Sequence, residues 1–331
     1  MAAPSSLAGL SSIGITEFDS LMTETLRKVL PGMPDIVSKN NALLSFLSKS
    51  GNIREEDGGY SIDQRLEYAE NGTYKRYSGW DPLDTTPQDV FTTAVYPWRQ
   101  VAISVVASGE EIRKNSGSRN RIGNLVADRV QNALHSANNQ FSADIYGSGS
   151  LPKQIDGLAK LVSDTGTGIV GNIDSSTWPF WQNKIMDAST YLGAPVTSAN
   201  IESAMRNFYI TLTVGAEQPD LIVADNQYYD MFEGSQTSIK RYNDTQEAEA
   251  GFLTLRFKKA KVIFDGTSGM LAGKRMYFLN TKYLFLVVHS AANWTMDQER
   301  VPVNQDGVIK PILWMGNLVC SNRARQGSLV D

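Results

Sequence analysis

The strongest periodic pattern of hydrophobic and polar positions lies between Arg119 and Tyr146. Apolar residues recur there every three or four positions, and polar residues occupy most positions between them. The apolar set is Ile122, Leu125, Val126, Val130, Ala133, Leu134, Ala137, Phe141 and Ile145. This spacing predicts one amphipathic helix, about 42 Å long at ~1.5 Å per residue. The glycine-serine run at 147–150 predicts its end, and we expect Leu125, Leu134 and Phe141 to face a sheet.

Shorter helices are predicted in three other stretches, again from apolar residues three and four positions apart. They span residues 15–29, which Pro31 and Gly32 follow, residues 178–192, and residues 198–214. The apolar side of the last one consists of Ile201, Ala204, Met205, Phe208, Tyr209 and Leu212. Asp225 has a side chain that suits a helix N-terminus, and it predicts a further helix over 226–232.

Short apolar runs predict the strands of the second half of the chain. They lie at 220–224, 252–257, 261–264, 276–279 and 284–288. A β-leaning tail from 294 to 318 follows, and we expect the last residues to form a polar stub. Because strands and helices do not alternate regularly, the pattern predicts an α+β fold rather than a series of βαβ units.

Residues 52–107 contain two β-rich runs on either side of a polar stretch, 70–82, that has aromatic residues but no periodic apolar face. This arrangement predicts two long antiparallel strands that leave the body and return through a turn at Asn71-Gly72 and a tip at 79–82. An isolated two-stranded ribbon is only marginally stable in water. We therefore expect another surface to cover this hairpin, from about Asp57 to Val90.

The candidates for that contact are Tyr74, Lys75, Arg76, Tyr77 and Trp80. Aromatic residues interleaved with basic ones also suit stacking on nucleic-acid bases, but two cations in an acidic protein make a weak nucleic-acid site. Docking on a neighbouring protein is the better interpretation, because Trp, Tyr and Arg dominate protein interfaces.

Composition limits the classes of function. The chain has 331 residues, enough for two lobes, since single cores tend to stop growing at ~250–300 residues. It carries 31 Lys and Arg against 35 Asp and Glu, for a formal net charge of -4. Domains that bind nucleic acid tightly are usually basic, and any contact with DNA should therefore be loose or confined to one face.

Cysteine use and hydropathy add further limits. Cys320 is the only cysteine, which excludes an internal disulfide and a zinc site with several cysteine ligands, and a cytoplasmic origin fits. The first residues lack the positive charge and long apolar run of a secretory signal. No run of ~18 apolar residues predicts a membrane span.

The residues that could carry chemistry do not form a catalytic pattern. His135 and His289 are the only histidines, one on the polar side of the long helix and one at a strand end, so a Ser-His-Asp triad is not predicted. Residues 166–171 match G-x-G-x-x-G, but a turn rather than a helix follows, which argues for a glycine-rich loop and not a dinucleotide site. The glycines before Lys274 have the wrong spacing for a P-loop.

Carboxylates cluster in two places. These are Glu55, Glu56 and Asp57, and then Glu247 and Glu249, all in polar runs that we expect to be solvated. Glycosidase chemistry needs one carboxyl group in an apolar pocket. We therefore predict no catalytic residue, metal ligand or cofactor-binding residue.

Residues 220–230 resemble the axial-domain strand and following helix of tailed-bacteriophage major capsid proteins with the Hong Kong 97-type coat fold. Residues 251–257, 262–265 and 277–281 resemble a run that is common in phage coats. The order of the predicted parts is also similar to that family. The resemblance covers essentially the whole chain.

The resemblance implies an α+β chain divided into five parts. These are an N-terminal arm and helix (1–50), an extended hairpin called the E-loop with its base (51–107), a peripheral domain with a long spine helix (108–165), an axial domain (166–290) and a β tail that returns to the peripheral domain (291–331). The lysine–asparagine cross-link of some members cannot be transferred, because no motif identifies Lys75 as its lysine.

The function implied is that of a major capsid protein of a tailed double-stranded DNA phage, which assembles into an icosahedral shell around the genome. Its partners would be identical subunits in hexamers and pentamers, separate scaffolding, portal and decoration proteins, and loosely contacted DNA on the inner face. Its place would be the virion, after assembly in the host cytoplasm, with no enzyme activity, cofactor or membrane contact.

Two alternatives stay open. One is the shell of an encapsulin-like compartment, which shares this fold but packages an enzyme, and the other is a hydrolase whose site is not visible in the sequence.

Some members of the family carry an N-terminal scaffold segment that is cut away, whereas only residues 1–50 precede the hairpin here. We therefore expect this coat protein to enter the virion at full length. Intact-mass spectrometry of mature particles tests this expectation, and loss of dozens of N-terminal residues would contradict it.

Overall fold

The computed structural model describes residues 22–25, 27, 41–115, 119–236, 254–264, 273–298, 300 and 306–331. Most of the helix predicted over 15–29 and the start of the strand predicted over 252–257 lie outside these residues. The same holds for Glu247 and Glu249, and for the side chains of Ile122, Leu125 and Val126.

The α-helices of the described part range from a single turn to one long rod. They are α1 (Ala42–Lys49), α2 (Gly109–Asn115), α3 (Arg119–Tyr146), α4 (Leu158–Leu161), α5 (Ala188–Leu192), α6 (Ile201–Leu212) and α7 (Asn226–Ser235).

The strands form two large sheets and two small hairpins. They are β1 (Ile53–Glu56), β2 (Ile62–Glu67), β3 (Phe91–Tyr96), β4 (Arg99–Ser108), β5 (Ile169–Val170), β6 (Ile173–Asp174), β7 (Lys184–Asp187), β8 (Leu221–Ala224), β9 (Thr254–Phe257), β10 (Ala260–Phe264), β11 (Arg275–Leu279), β12 (Leu284–His289), β13 (Thr295–Met296), β14 (Gly307–Cys320) and β15 (Gly327–Val330).

The first sheet is built around β14, which has 14 residues. One edge of β14 pairs antiparallel with the whole of β4, and the other edge pairs with β12 and β13. β1 extends the sheet by parallel pairing with β12. Helix α3 packs against β4, and Phe141 contacts Trp314 and Trp294 edge-on, with ring centroids 4.7 and 5.5 Å away.

The second sheet has the order β7-β15-β11-β8-β10-β9 and contains both parallel and antiparallel pairs. Its two faces belong to different cores. In β8, Leu221 and Val223 pack in the core shared with the first sheet, and Ile222 and Ala224 pack in the core that contains α6 and α7. A strand covered on both faces must be apolar at every position, which explains the run in β8.

The structure confirms the strongest helix predictions. Helix α3 has the predicted bounds, Arg119–Tyr146, its residues Val130, Ala133, Ala137, Phe141 and Ile145 are buried, and Leu134 packs at the edge of the core. All six predicted apolar residues of α6 are buried. Asp225 caps α7, since its carboxylate accepts a hydrogen bond from the Tyr228 backbone N–H at 2.8 Å.

The helix predicted over 178–192 was wrong for most of its length. Pro179–Trp181 is a single 3-10 turn and Lys184–Asp187 is a strand, so only α5 is helical. The strand β7 pairs in parallel with β15, near the C-terminus. These backbone hydrogen bonds to a distant strand overrode the local spacing, which carries no information about them.

The polar stub predicted after residue 318 was also wrong. β14 continues to Cys320, a 3-10 turn follows at Arg323–Arg325, and β15 inserts between β7 and β11. Gly327, Ser328 and Leu329 are buried. A strand this short has too few residues for a visible alternation, and its position inside a sheet supplies its stability.

Candidate subunit interface

A hairpin formed by β2 and β3 leaves the body between β1 and β4. The two strands pair antiparallel from Ile62 opposite Tyr96 to Glu67 opposite Phe91. Residues 69–89, here called the tip loop, join them without forming a strand. The prediction of two long strands was therefore wrong. The hairpin is a short ribbon with a long loop, because the polar stretch offers no alternating apolar face to support further pairing.

The base of the hairpin packs on its own chain. Ile62, Leu66, Ala94 and Tyr96 alternate with exposed residues, and all four are buried. We expected the hairpin to be poorly packed on its own chain and to need cover from another surface. This was wrong for the ribbon, while the tip loop has no such buried face. The ribbon gives the tip loop a fixed support.

Hydrogen bonds tie the return strand to β14. The Tyr96 hydroxyl donates to the carbonyl oxygen of Cys320 at 2.9 Å, and the Asn317 side-chain amide donates to the Pro97 carbonyl at 2.9 Å. Both Tyr96 and Asn317 are fully buried. Burial raises the pKa of the Tyr96 hydroxyl well above its ordinary value, which keeps it protonated as a donor.

Gly171 brings a second loop against the hairpin. Its carbonyl accepts a hydrogen bond from the Val95 N–H at 2.9 Å, and a Cβ at this position would lie 2.7 Å from the Ala94 Cβ. The backbone φ is +57°, which glycine adopts without strain. Gly171 is the last glycine of the G-x-G-x-x-G match. A turn at Gly171 and Asn172 follows, rather than a helix, as the sequence predicted. The two short strands that it joins, β5 and β6, were not predicted.

The tip loop carries all five predicted contact residues: Tyr74, Lys75, Arg76, Tyr77 and Trp80. All are exposed, with Tyr74 at 82% and Tyr77 at 61% of full exposure and the Trp80 side chain completely open. Whether they contact another subunit stays a prediction. Large aromatic groups without cover on a folded chain are typical of a binding surface.

The tip loop is held in shape by its own polar groups. The Lys75 ammonium donates to the Pro82 carbonyl at 3.1 Å. The Ser78 N–H donates to the Asp81 carboxylate at 3.1 Å, and the Asp81 N–H donates to the Ser78 carbonyl at 3.2 Å. These contacts order the loop before any partner binds, which reduces the entropy lost on binding.

A second surface, here called the aromatic groove, lies beside the base of the tip loop. It has a volume of about 540 Å³, and its lining is Tyr68, Asp89, Phe91, Thr92, Thr93, Asn172, Ile173, Asp174, Thr177, Trp178 and Phe180. The rings of Tyr68 and Phe180 lie 5.6 Å apart, and those of Trp178 and Phe180 lie 6.3 Å apart. Trp178 is 52% exposed.

Sequence reasoning missed the aromatic groove because it assigned Trp178 and Phe180 to a helix. The available signal was weak: Pro179 disfavours the helical conformation at Trp178 but is compatible with a helix that begins after it. The charged side chains among the lining residues are the carboxylates of Asp89 and Asp174.

The residues that could carry chemistry remain apart in the structure. His135 is exposed on α3, and the His289 Nδ1 accepts a hydrogen bond from the Ala291 N–H at 3.1 Å, at the end of β12. Burial raises the pKa of the Cys320 thiol to about 12, which keeps it out of the nucleophilic thiolate form. Within the described ranges, no group of three or more His, Cys, Asp or Glu side chains is arranged to hold a metal ion.

Hydropathy of the helices gives a further observation. Among the helices of the described part, none combines the length and the apolar character needed to cross a membrane.

Comparison with solved structures identifies the fold. The chain matches a capsid subunit of cyanophage A-1(L) with a TM-score of 0.58 and 14% identity, over 85% of this chain and 90% of that chain. It matches a structure from Mycobacterium phage Bobi with a TM-score of 0.54 and 9% identity, over 85% and 89%. It matches the capsid of a native GTA particle with a TM-score of 0.52 and 12% identity, over 85% and 89%.

The chain has the Hong Kong 97-type coat fold of tailed-phage capsid proteins. No protein-family model matches the sequence, and no curated protein matches it either. At 9–14% identity the likeness lies in the backbone arrangement, not in shared motifs. On this fold, we would assign α3 to the spine helix and the hairpin with its tip loop to the E-loop.

Proposed function

We propose that this chain is the major capsid protein of a tailed double-stranded DNA phage and assembles into an icosahedral shell around the genome. One observation carries the proposal. On a coat fold, the tip loop exposes Tyr74, Tyr77 and Trp80 on an ordered support. Exposed aromatic groups make an isolated subunit prone to association, whereas a neighbouring subunit in a shell would bury them.

The proposal assigns roles to the lobes. The sheet around β14 and the spine helix form the peripheral domain, from about residue 108 to 165 with the β tail from 291. Three strands of that sheet, β1, β4 and β12, come from the flanking ranges. The sheet that contains β8 forms the axial domain, within 166–290. The E-loop and its base occupy 51–107, and the N-terminal arm 1–50. Since β15 pairs with β7 and β11, the tail serves both domains.

The partners follow from the role. Identical subunits would form hexamers and pentamers, and a separate scaffolding protein, a portal and decoration proteins would complete the particle. The protein would reside in the virion after assembly in the host cytoplasm. A shell role requires no catalytic site, cofactor or metal.

Contact with the packaged DNA should be loose. The net charge of -4 offers few cations to phosphate groups, and confinement inside the shell would hold the genome instead. We expect isolated capsomers to bind free DNA weakly at about 150 mM salt. A salt titration of DNA binding measures this. Tight binding at that salt with a steep salt slope would contradict the prediction.

The test of the function is electron microscopy of the purified protein together with its nucleic-acid content. DNA-filled particles from infected cells, or empty shells of uniform size from the protein expressed alone, support the proposal. Protein-filled particles indicate an encapsulin-like compartment. A protein that forms no particles and cleaves a substrate indicates the hydrolase alternative.

A further inference from the structure

We propose that the aromatic groove receives the tip loop of a second copy of this chain. The proposal rests on the proposed function, because it names the surface that the E-loop contacts in the shell. The occupant follows from three properties of the described residues: apolar surface, charge, and the local confinement of the tip loop.

The first property is matching aromatic surface. The tip loop presents Tyr74, Tyr77 and Trp80, and each aromatic side chain can bury ~150–250 Å². Three of them therefore supply on the order of 500 Å², a large part of the ~800 Å² per partner in a stable interface. The groove offers Trp178, which is 52% exposed, and Phe91, which is 48% exposed and carries the Arg65 guanidinium on its ring, 4.3 Å from the centroid.

The second property is opposite charge. Lys75 and Arg76 are the two cations of the tip loop, and they lie within residues 72–80, which hold no acidic residue. The acidic residues of the loop flank this segment and are Glu70, Asp81, Asp84 and Asp89. The charged side chains of the groove lining are Asp89 and Asp174, and Arg65 adjoins the lining through its contact with the Phe91 ring. The Arg76 side chain is exposed, and it can form an ion pair with a carboxylate of the groove without breaking a contact that orders the loop. Charge complementarity of this kind fixes the orientation of a contact more than its strength.

The third property is that the tip loop is confined away from its own groove. The Tyr68 N–H donates to the Val90 carbonyl at 3.0 Å and the Tyr68 hydroxyl donates to the Asp89 carbonyl at 2.7 Å, which closes the neck of the loop beside the groove. The hydrogen bonds described for residues 71–86 join residues of that segment to one another. The tip loop that fills the groove should therefore come from a neighbouring copy of the chain.

A contact between two different patches of the same chain is heterologous. Each subunit then gives its tip loop to one neighbour and accepts a tip loop from another. Repetition of such a contact closes into a ring when the rotation between copies allows it. A capsomer is such a ring, and one groove per subunit is sufficient to build it.

The test places a photoreactive residue in the tip loop of the full chain. Tyr77→p-benzoylphenylalanine and, separately, Trp80→p-benzoylphenylalanine are assembled into shells and irradiated. We expect a covalent dimer on a denaturing gel, and mass spectrometry should locate the adduct within 89–93 or 172–180 of the second copy. Tyr60→p-benzoylphenylalanine is the control, since Tyr60 is equally exposed and lies outside the tip loop.

The outcomes separate this contact from the proposed function. Shells that give adducts only elsewhere on the coat protein, on another protein, or with no dimer at all overturn the contact and leave the capsid function standing. Failure of the unmodified protein to form particles under any assembly condition contradicts the proposed function, and the contact with it.

A charge exchange tests the same contact independently. Arg76→Glu and Asp89→Lys should each raise the subunit concentration needed for shells, and the double variant should lower it again. The defect of each single variant should shrink at high salt, which screens exposed charges. Asp230→Lys, at an exposed position of α7, is the control. A double variant worse than both single variants overturns the charge complementarity.

Discussion

At the scale of single residues, Arg323 connects segments from distant parts of the chain. It is fully buried, and its guanidinium donates to the Leu161 carbonyl at 2.7 Å, the Trp181 carbonyl at 3.0 Å and the Asn183 side-chain oxygen at 3.0 Å. Burial lowers the pKa of this arginine from its ordinary value. A planar group with several fixed donors can satisfy three separate acceptors, which the single ammonium of lysine cannot reproduce.

We expect Arg323→Lys to destabilise the subunit by about 2–5 kcal/mol, since each buried acceptor left without a donor costs about 1–3 kcal/mol. Denaturant unfolding of the subunit measures the change. Arg300→Lys is the matched control, because Arg300 is 67% exposed and should change the free energy of unfolding little. Equal stability of Arg323→Lys and the unmodified protein would show that the three hydrogen bonds are not needed.

Phe141 tests the face of the spine helix. It is buried between Trp294 and Trp314, and Phe141→Ala should cost roughly 3–5 kcal/mol in free energy of unfolding. His135→Ala, on the exposed side of the same helix, controls for changes in helix propensity. If Phe141→Ala lowers the free energy of unfolding of the subunit by only a few tenths of a kcal/mol, Phe141 does not lie on the buried face of the helix.

The sequence was sufficient to predict the role of residues that act within their own helix or next to it. Asp225 caps the helix that follows it directly, and Phe141 belongs to a pattern that repeats within its own helix. Arg323 lay in the segment expected to be a polar stub. Its acceptors come from residues about 140–160 positions earlier, and no local pattern can indicate such partners.

At the scale of elements, the contrast between α3 and β7 has one physical cause. Helix α3 has 28 residues, and most backbone groups of a helix this long bond within the helix, so its spacing alone defines it. β7 has four residues, and its strand partner, β15, lies about 140 positions later in the chain. The C-terminal strand was missed for the same reason, because its pairing with β11 and β7 joins distant parts of the chain.

Gly171 controls the attachment of the hairpin element. In Gly171→Ala the new Cβ would meet Ala94, so the loop and the hairpin must separate. Gly193→Ala is a close control, because Gly193 has φ +63° and open space around its Cβ position. Both variants carry a backbone strain of about 1–2 kcal/mol, and only Gly171→Ala should also increase hydrogen exchange in β2 and β3. Equal hydrogen exchange of β2 and β3 in the two variants would mean that the contact of Gly171 with Ala94 does not hold the hairpin.

At the scale of the whole molecule, the described residues form a packed body and an exposed tip loop that this body does not cover. Two cores share the sheet containing β8, and hydrogen bonds from β14 and Gly171 hold the hairpin base on this body. The exposed tip loop was predictable, since a polar stretch with aromatic residues and no apolar face has nothing to pack on. The aromatic groove was not, because β3 and the 172–180 segment meet only in the folded chain.

Deletion of Thr73 to Trp80 should leave a soluble, folded subunit that does not form shells. The ribbon below the loop keeps its buried residues Ile62, Leu66, Ala94 and Tyr96, so we expect a free energy of unfolding close to that of the unmodified subunit. Assembly should fail because the deleted residues include three exposed aromatic groups, Tyr74, Tyr77 and Trp80, and side chains of this kind dominate the energy of protein interfaces. Circular dichroism measures folding, and electron microscopy with sedimentation measures assembly.

A second variant separates lost contacts from altered loop geometry. The combined substitution of Tyr74, Tyr77 and Trp80 by Ser keeps the loop length and the hydrogen bonds around Ser78 and Asp81, and it should also prevent shells. Tyr60→Ser removes an equally exposed aromatic group outside the tip loop and should still assemble. A shell depends on many copies of one contact, so even a modest loss per contact should abolish closed particles. Normal particles from both the deletion and the triple substitution would show that the E-loop tip does not join subunits.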